Sequence, residues 1–115
     1  MELTVAEILR TEFSEDFVKG MKNRMALSLY KYGPVKINVE NHLTKVIPSL
    51  ELRLAKYKET GNTEYLMDVA NLAMMEYMYP QHPQGHFKAT DSTESPGLIG
   101  KFIGPMIDMG GCKDE

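Results

Sequence analysis

Three breaks, Gly33-Pro34, Gly61-Asn62 and Pro80, divide the first eighty residues of this chain into segments. Within each long segment the apolar residues recur every three or four positions, the spacing of one face of a helix. Helical period between glycine and proline stops restricts the chain to helices packed on helices, because no two segments with clear two-residue alternation exist to pair as a sheet. Ser14 reads as an N-cap, with Glu15 and Asp16 in the first turn where the helix dipole favours carboxylates. The helix it opens should run to Tyr32, with Phe17, Val18, Met21, Met25, Leu29 and Tyr32 on one face and Arg24 and Ser28 along its edge. A shorter helix is expected from Leu3 to Arg10, too short to stand without packing, as a lid or clasp.

Val35 to Val39 alternates apolar and polar residues, and with no partner strand it reads as an extended connection. A further helix is expected from Glu40 to Thr60, carrying Leu43, Val46, Ile47, Leu50, Leu54 and Tyr57 on one face. Pro48 should kink it or start it afresh from its own first position. Gly61 supplies a left-handed cap, Asn62 caps the next helix, and so short a joint makes the two an antiparallel hairpin. The helix to about Tyr79 should bury Leu66, Val69, Ala70, Ala73 and Tyr77, with Met67, Met74 and Met78 beside them. After Pro80 the chain is rich in turn residues. Its last apolar segment, Leu98 to Met109, is broken by glycine and proline and must cover a core face or meet a partner. The expected fold is thus all-α and single-domain: a short helix in 1–13, a helical core in 14–79, and a long irregular loop and tail in 80–115. Four main helices form an antiparallel bundle.

Composition narrows the function. Thirteen basic and sixteen acidic residues are intermixed for a net charge of −3, and there are only three arginines. A duplex-binding protein needs a concentrated cationic face, so nucleic acid is a poor fit. No apolar run reaches the roughly 18 residues needed to span a bilayer, and the first residues lack the basic start and apolar centre of a signal peptide. One cysteine, Cys112, makes no internal disulfide and no paired-thiolate zinc pattern, as expected in the cytoplasm. Nine methionines and no tryptophan fit either an irregularly filled core or an adaptable surface for self-association.

Polar residues cluster in two places. Glu64, Asp68 and Asn71 follow at four- and three-residue steps and share one edge of a helix. Two carboxylates one turn apart suit magnesium, with Glu51 or Glu40 completing the set across the hairpin; solvation and the helix dipole alone are the simpler account of them. Arg24 and Arg53 border apolar faces, where a guanidinium serves either a phosphate or an internal ion pair with Glu64, Asp68 or Glu51. The second cluster is the loop holding His82, His86, Lys88, Thr90, Asp91 and Ser92, followed by Ser95-Pro96-Gly97. Pro83 and Gly85 keep His82 and His86 off a helix, so the paired histidines of a zinc protease are not available, and a zinc site would need further ligands such as Asp91. Thr90-Asp91-Ser92 suits side-chain-capped turns, which either stabilise the loop itself or offer amides and hydroxyls to an anion. No serine elbow or Walker-type loop occurs.

Lys31-Tyr32-Gly33, Leu52-Arg53-Leu54-Ala55-Lys56-Tyr57 and Thr60-Gly61-Asn62-Thr63-Glu64-Tyr65-Leu66-Met67-Asp68-Val69-Ala70-Asn71 resemble small proteins encoded by bacteriophages and prophages. More distantly, Phe17 to Tyr79 resembles the all-α nucleotide pyrophosphohydrolases of the MazG-like superfamily. That resemblance implies paired helices, often in dimers, with Glu51, Glu64 and Asp68 as magnesium ligands and catalytic carboxylates around a nucleotide. Arg24 or Arg53 would then clamp phosphate. The expected function is binding or magnesium-dependent hydrolysis of a nucleotide-like phosphorylated small molecule, in the cytoplasm of a bacterial host. The alternative is a non-enzymatic anti-defence protein that sequesters a signalling nucleotide or docks on a host protein.

Overall fold

The computed structural model describes residues 2–91, 93–94 and 97, which are helical or irregular throughout; no strand occurs among them. The chain groups into two compact units, Met1–Pro83 and Gln84–Glu115. The first carries five helices: α1 (Val5–Glu12), α2 (Glu15–Tyr32), α3 (Val35–Glu40), α4 (Val46–Thr60) and α5 (Glu64–Met78). The all-α expectation holds, with five helices in place of four and an extended link. None is long and apolar enough to cross a membrane.

Local chemistry sets the boundaries. Thr4 Oγ1 accepts from the Glu7 amide at 3.1 Å while Glu7 Oε1 accepts from the Thr4 amide at 2.7 Å, a reciprocal cap that starts α1 two residues later than expected. Ser14 Oγ accepts from the Phe17 amide at 3.0 Å and opens α2. Gly61, at φ 75° and ψ 7°, ends α4 in the left-handed region and donates to Tyr57 O at 2.7 Å. Asn62 Oδ1 then accepts from the Glu64 amide at 3.0 Å, beginning α5.

The segment expected to be extended, Val35 to Val39, is helical instead. Five residues of alternation could not outweigh the i, i+4 pairing of Val35 with Val39. Val39 is fully buried and Val35 packs beside it, whereas Ile37, which a strand would have put on their side, is 52% exposed. Asn38 fastens the turn from Pro34 by donating Nδ2 to Tyr32 O at 2.8 Å. The expected Glu40–Thr60 helix is correspondingly shorter. Its first residues form a turn around His42, whose φ of 57° is left-handed, and α4 begins at Val46. Pro48 therefore falls inside the first turn, where its missing N–H has no intrahelical partner to lose.

Within the first unit α5 packs along α4 and, less extensively, against α2. The buried apolar core comprises Val39, Val46 and Met75, with Met25, Val35, Leu72 and Tyr79 partly buried against it. Several residues assigned to buried faces stand outside: Leu29, Tyr32, Leu43 and Tyr77 are all exposed. On α5 the buried positions are Asn71 and Met75, so the inward face is rotated from the expected Leu66–Ala73–Tyr77 stripe. α2 and α5 approach closely at Gly20, where an added methyl would fall 2.5 Å from Met67 Sδ.

In the second unit the described residues form no helix. His86 Nδ1 lies 2.8 Å from Gln84 O, Lys88 pairs with Glu94 at 2.9 Å, and Asp91 Oδ1 accepts from the Thr93 amide, the Thr93 hydroxyl and the Glu94 amide. Ser92, Ser95, Pro96, the apolar segment from Leu98 to Met109 and Cys112 lie outside the described residues.

Candidate functional site

Three helices each bring a polar row to one place. On α2 Arg24, Ser28 and Lys31 succeed one another at four and three residues; at the start of α4 Lys45, Ser49 and Arg53 are four apart; on α5 Asp68, Asn71, Leu72 and Met75 share a face. All of these line a single cleft of about 540 Å³. Its remaining wall includes Met25, Tyr32, Val35, Asn38, Leu43 and Thr44, so apolar surface stands opposite charge and hydroxyls.

The Asp68 carboxylate, with its side chain 12% exposed, joins two of the rows. Arg24 donates Nε to Asp68 Oδ1 at 2.6 Å and Nη2 to Oδ2 at 3.3 Å, a two-point contact. Its Nη1 reaches Glu64 Oε2 at 2.7 Å. From the other side Arg53 Nη1 donates to Asp68 Oδ2 at 2.6 Å. The hydrogen bond that Arg24 donates to Asp68 holds it more firmly protonated than a free arginine; burial opposes this, and the charges of Asp68 and Glu64 and the bond to Glu64 add to it. Because the folded state raises this ionisation, the stability it contributes is complete at any pH below the ordinary arginine range and goes only above it. Arg24 thus keeps its charge at every working pH.

Of the two readings open for these arginines, the internal ion pair is present. Asp68, Asn71, Arg24 and Arg53 converge on the cleft, and Glu64 touches Arg24 from outside its lining. Glu51 is exposed on α4 and lies outside both the cleft and the arginine network. Among the described residues no group of three His, Cys, Asp or Glu side chains is placed to hold a metal ion. Both Asp68 oxygens face guanidinium hydrogens, so Glu51, Glu64 and Asp68 do not fit a magnesium site in this arrangement. His86, Lys88, Thr90 and Asp91 are exposed; His86 bonds to Gln84 O, Lys88 to Glu94, and Asp91 Oδ1 to the Thr93 amide, as in the self-stabilising reading of these turns; His82 is likewise exposed, at the end of the first unit.

Lys31, Lys45, Ser49 and Thr44 were not singled out by sequence reasoning. The signal existed in the four-residue steps of Lys45-Ser49-Arg53 and the seven-residue step from Arg24 to Lys31, but a row becomes a site only when its neighbours are known. Comparison of the chain with family models, with curated proteins and with solved structures returns no match.

Proposed function

We propose that the protein binds a nucleotide-like phosphorylated small molecule in this cleft and holds it without turnover. The observation that carries the reading is charge: Arg24, Lys31, Lys45 and Arg53 line the cleft against Asp68 within it and Glu64 at its edge, in a chain whose net charge is −3. Concentrating cations against the sign of the whole molecule favours an anion, and guanidinium forks match phosphate oxygens. The volume falls within the range of small-molecule sites, and Tyr32, Leu43 and Leu72 offer apolar surface to a base. Sequestration is favoured over magnesium-dependent pyrophosphohydrolysis because the carboxylates that hydrolysis needs are held by arginine or stand apart.

The test is a thermal-shift panel of nucleoside mono-, di- and triphosphates with and without magnesium. A rise in Tm in the presence of EDTA, lost in Arg24→Ala with Arg53→Ala, is expected. Pyrophosphate release that appears only with added magnesium restores the enzyme reading, and no shift with any nucleotide removes the binding reading.

The working unit in this proposal is a homodimer. A core of three buried apolar residues is small for a helical unit of this length, while Val5, Ile8 and Leu9 on one face of α1 and Leu52 and Leu54 on α4 stand exposed. Such a face is characteristic of an interface, and a standard one covers roughly 800 Å² per partner. Light scattering should give twice the chain mass, and Ile8→Asp with Leu9→Asp should halve it. A monomer at high micromolar concentration refutes this part.

A further inference from the structure

Asn71 is the nearly buried polar side chain of the cleft, only 5% exposed. Its Nδ2 donates to Met21 O on α2 at 3.1 Å, which fixes the amide's orientation, since a carbonyl oxygen can only accept. The other end, Oδ1, is shielded from water and has no hydrogen-bond partner. A buried acceptor left unmade carries its full desolvation cost, so an unpaired oxygen on a cleft-lining residue calls for an occupant that donates to it. Asn71 lies three residues past Asp68, which places the two about 5–6 Å apart on one face of α5. A phosphate that meets the guanidinium groups bonded to Asp68 would therefore sit on the Asp68 side of Asn71 along α5.

We propose that Asn71 Oδ1 accepts a hydroxyl hydrogen from the bound molecule, so that the cleft selects a sugar phosphate or nucleotide over a bare phosphate monoester. The inference rests on the anion-binding reading above and adds the group beside the phosphate. Sugar hydroxyls close to a phosphomethyl group span the separation between the arginines and Asn71. Met25 and Met75, which line the same cleft, have flexible side chains, and a ligand reaches the shielded oxygen only if the lining rearranges. In the unliganded state the acceptor is closed and unpaired, and the donor supplied by a ligand adds its stabilisation only on binding.

The experiment is an NMR titration of the full chain with ribose 5-phosphate, with methyl phosphate, which carries the same phosphate without a hydroxyl, and with AMP. Ribose 5-phosphate should bind at least about tenfold tighter than methyl phosphate, the worth of one hydrogen bond to a buried acceptor. Equal affinities overturn the role of Asn71 and leave the anion reading standing, whereas no binding of any of the three takes away both. Asn71→Leu should bring ribose 5-phosphate down to the level that methyl phosphate shows in the same variant; discrimination that persists in this variant overturns the inference. The comparison on the wild-type chain stands by itself if the variant does not fold.

Discussion

Asp68 is bracketed by two guanidinium groups of unequal geometry, and double-mutant cycles on Arg24, Arg53 and Asp68 separate their contributions. Arg24 meets the carboxylate at two points, 2.6 and 3.3 Å, with its own side chain 34% exposed; Arg53 meets it at one point, 2.6 Å, and is 46% exposed. Charge-assisted bonds to a mostly buried carboxylate contribute about 1.5–3 kcal/mol, and the partial exposure of Arg24 places its pair near the lower end. The Arg53 pair behaves like a surface bridge and should contribute below about 1 kcal/mol. Truncation in Asp68→Ala removes both and leaves two cations facing each other, so a loss of about 2–3 kcal/mol is expected. The assay is urea unfolding of the wild type, the three single alanine variants and the two double variants, at one fixed protein concentration because the unit is proposed to dimerise. The coupling of Arg53 with Asp68 should fade in 1 M salt, where the screening length falls to about 3 Å, more than that of Arg24 with Asp68. A coupling for Arg53 equal to or greater than that for Arg24 would falsify the assignment of Arg24 as the principal partner.

Three further outcomes follow from the fold. Val39→Ala should cost about 2–3 kcal/mol by removing a fully buried side chain from a small core, whereas Ile37→Ala should stay within about 0.5 kcal/mol; the reverse order in urea unfolding would restore the extended reading of that segment. Gly61→Ala should cost about 1–2 kcal/mol, since φ is 75° and a side chain strains the left-handed region even with open space around it; an unchanged urea midpoint refutes this. Ser14→Ala should lower stability by about 1 kcal/mol and fray the first turn of α2, read as faster amide exchange at Phe17, and Ser14→Asp should restore it.

The fold was legible where a local rule acts alone. Ser14 and Gly61 decide helix ends by their own chemistry, and both do so in the structure. The extended reading of Val35–Val39 failed because alternation over five residues and an i, i+4 pair use the same two valines, and only tertiary burial of Val39 separates them. The face of α5 was misplaced for a related reason. A pattern of apolar letters puts Asn71 on an edge, but its bond to the Met21 carbonyl lets it face inward and turns Tyr77 to solvent. Of the candidate residues read from the sequence, Arg24, Arg53, Asp68 and Asn71 line the cleft. Glu51 stands apart from them, because helical spacing fixes which residues share a side and not which side a neighbouring helix presents. Lys31 and Lys45 escaped notice because each looked like an ordinary surface lysine until the three rows met.

The notch at Gly20 ties the geometry of the cleft to a single sulfur atom. Met67 Sδ occupies the space where even a methyl on Gly20 would fall 2.5 Å away, and α2 and α5, which meet there, are two of the cleft's walls. Oxidation places a polar oxygen on a sulfur that packs at this close approach, so a Met67 sulfoxide is expected to swing out or press the helices apart. Mild oxidant should then loosen phosphate binding with every arginine chemically intact. Mass-resolved oxidation followed by ligand titration reads this directly, and full affinity with Met67 oxidised would show that the walls tolerate the wedge.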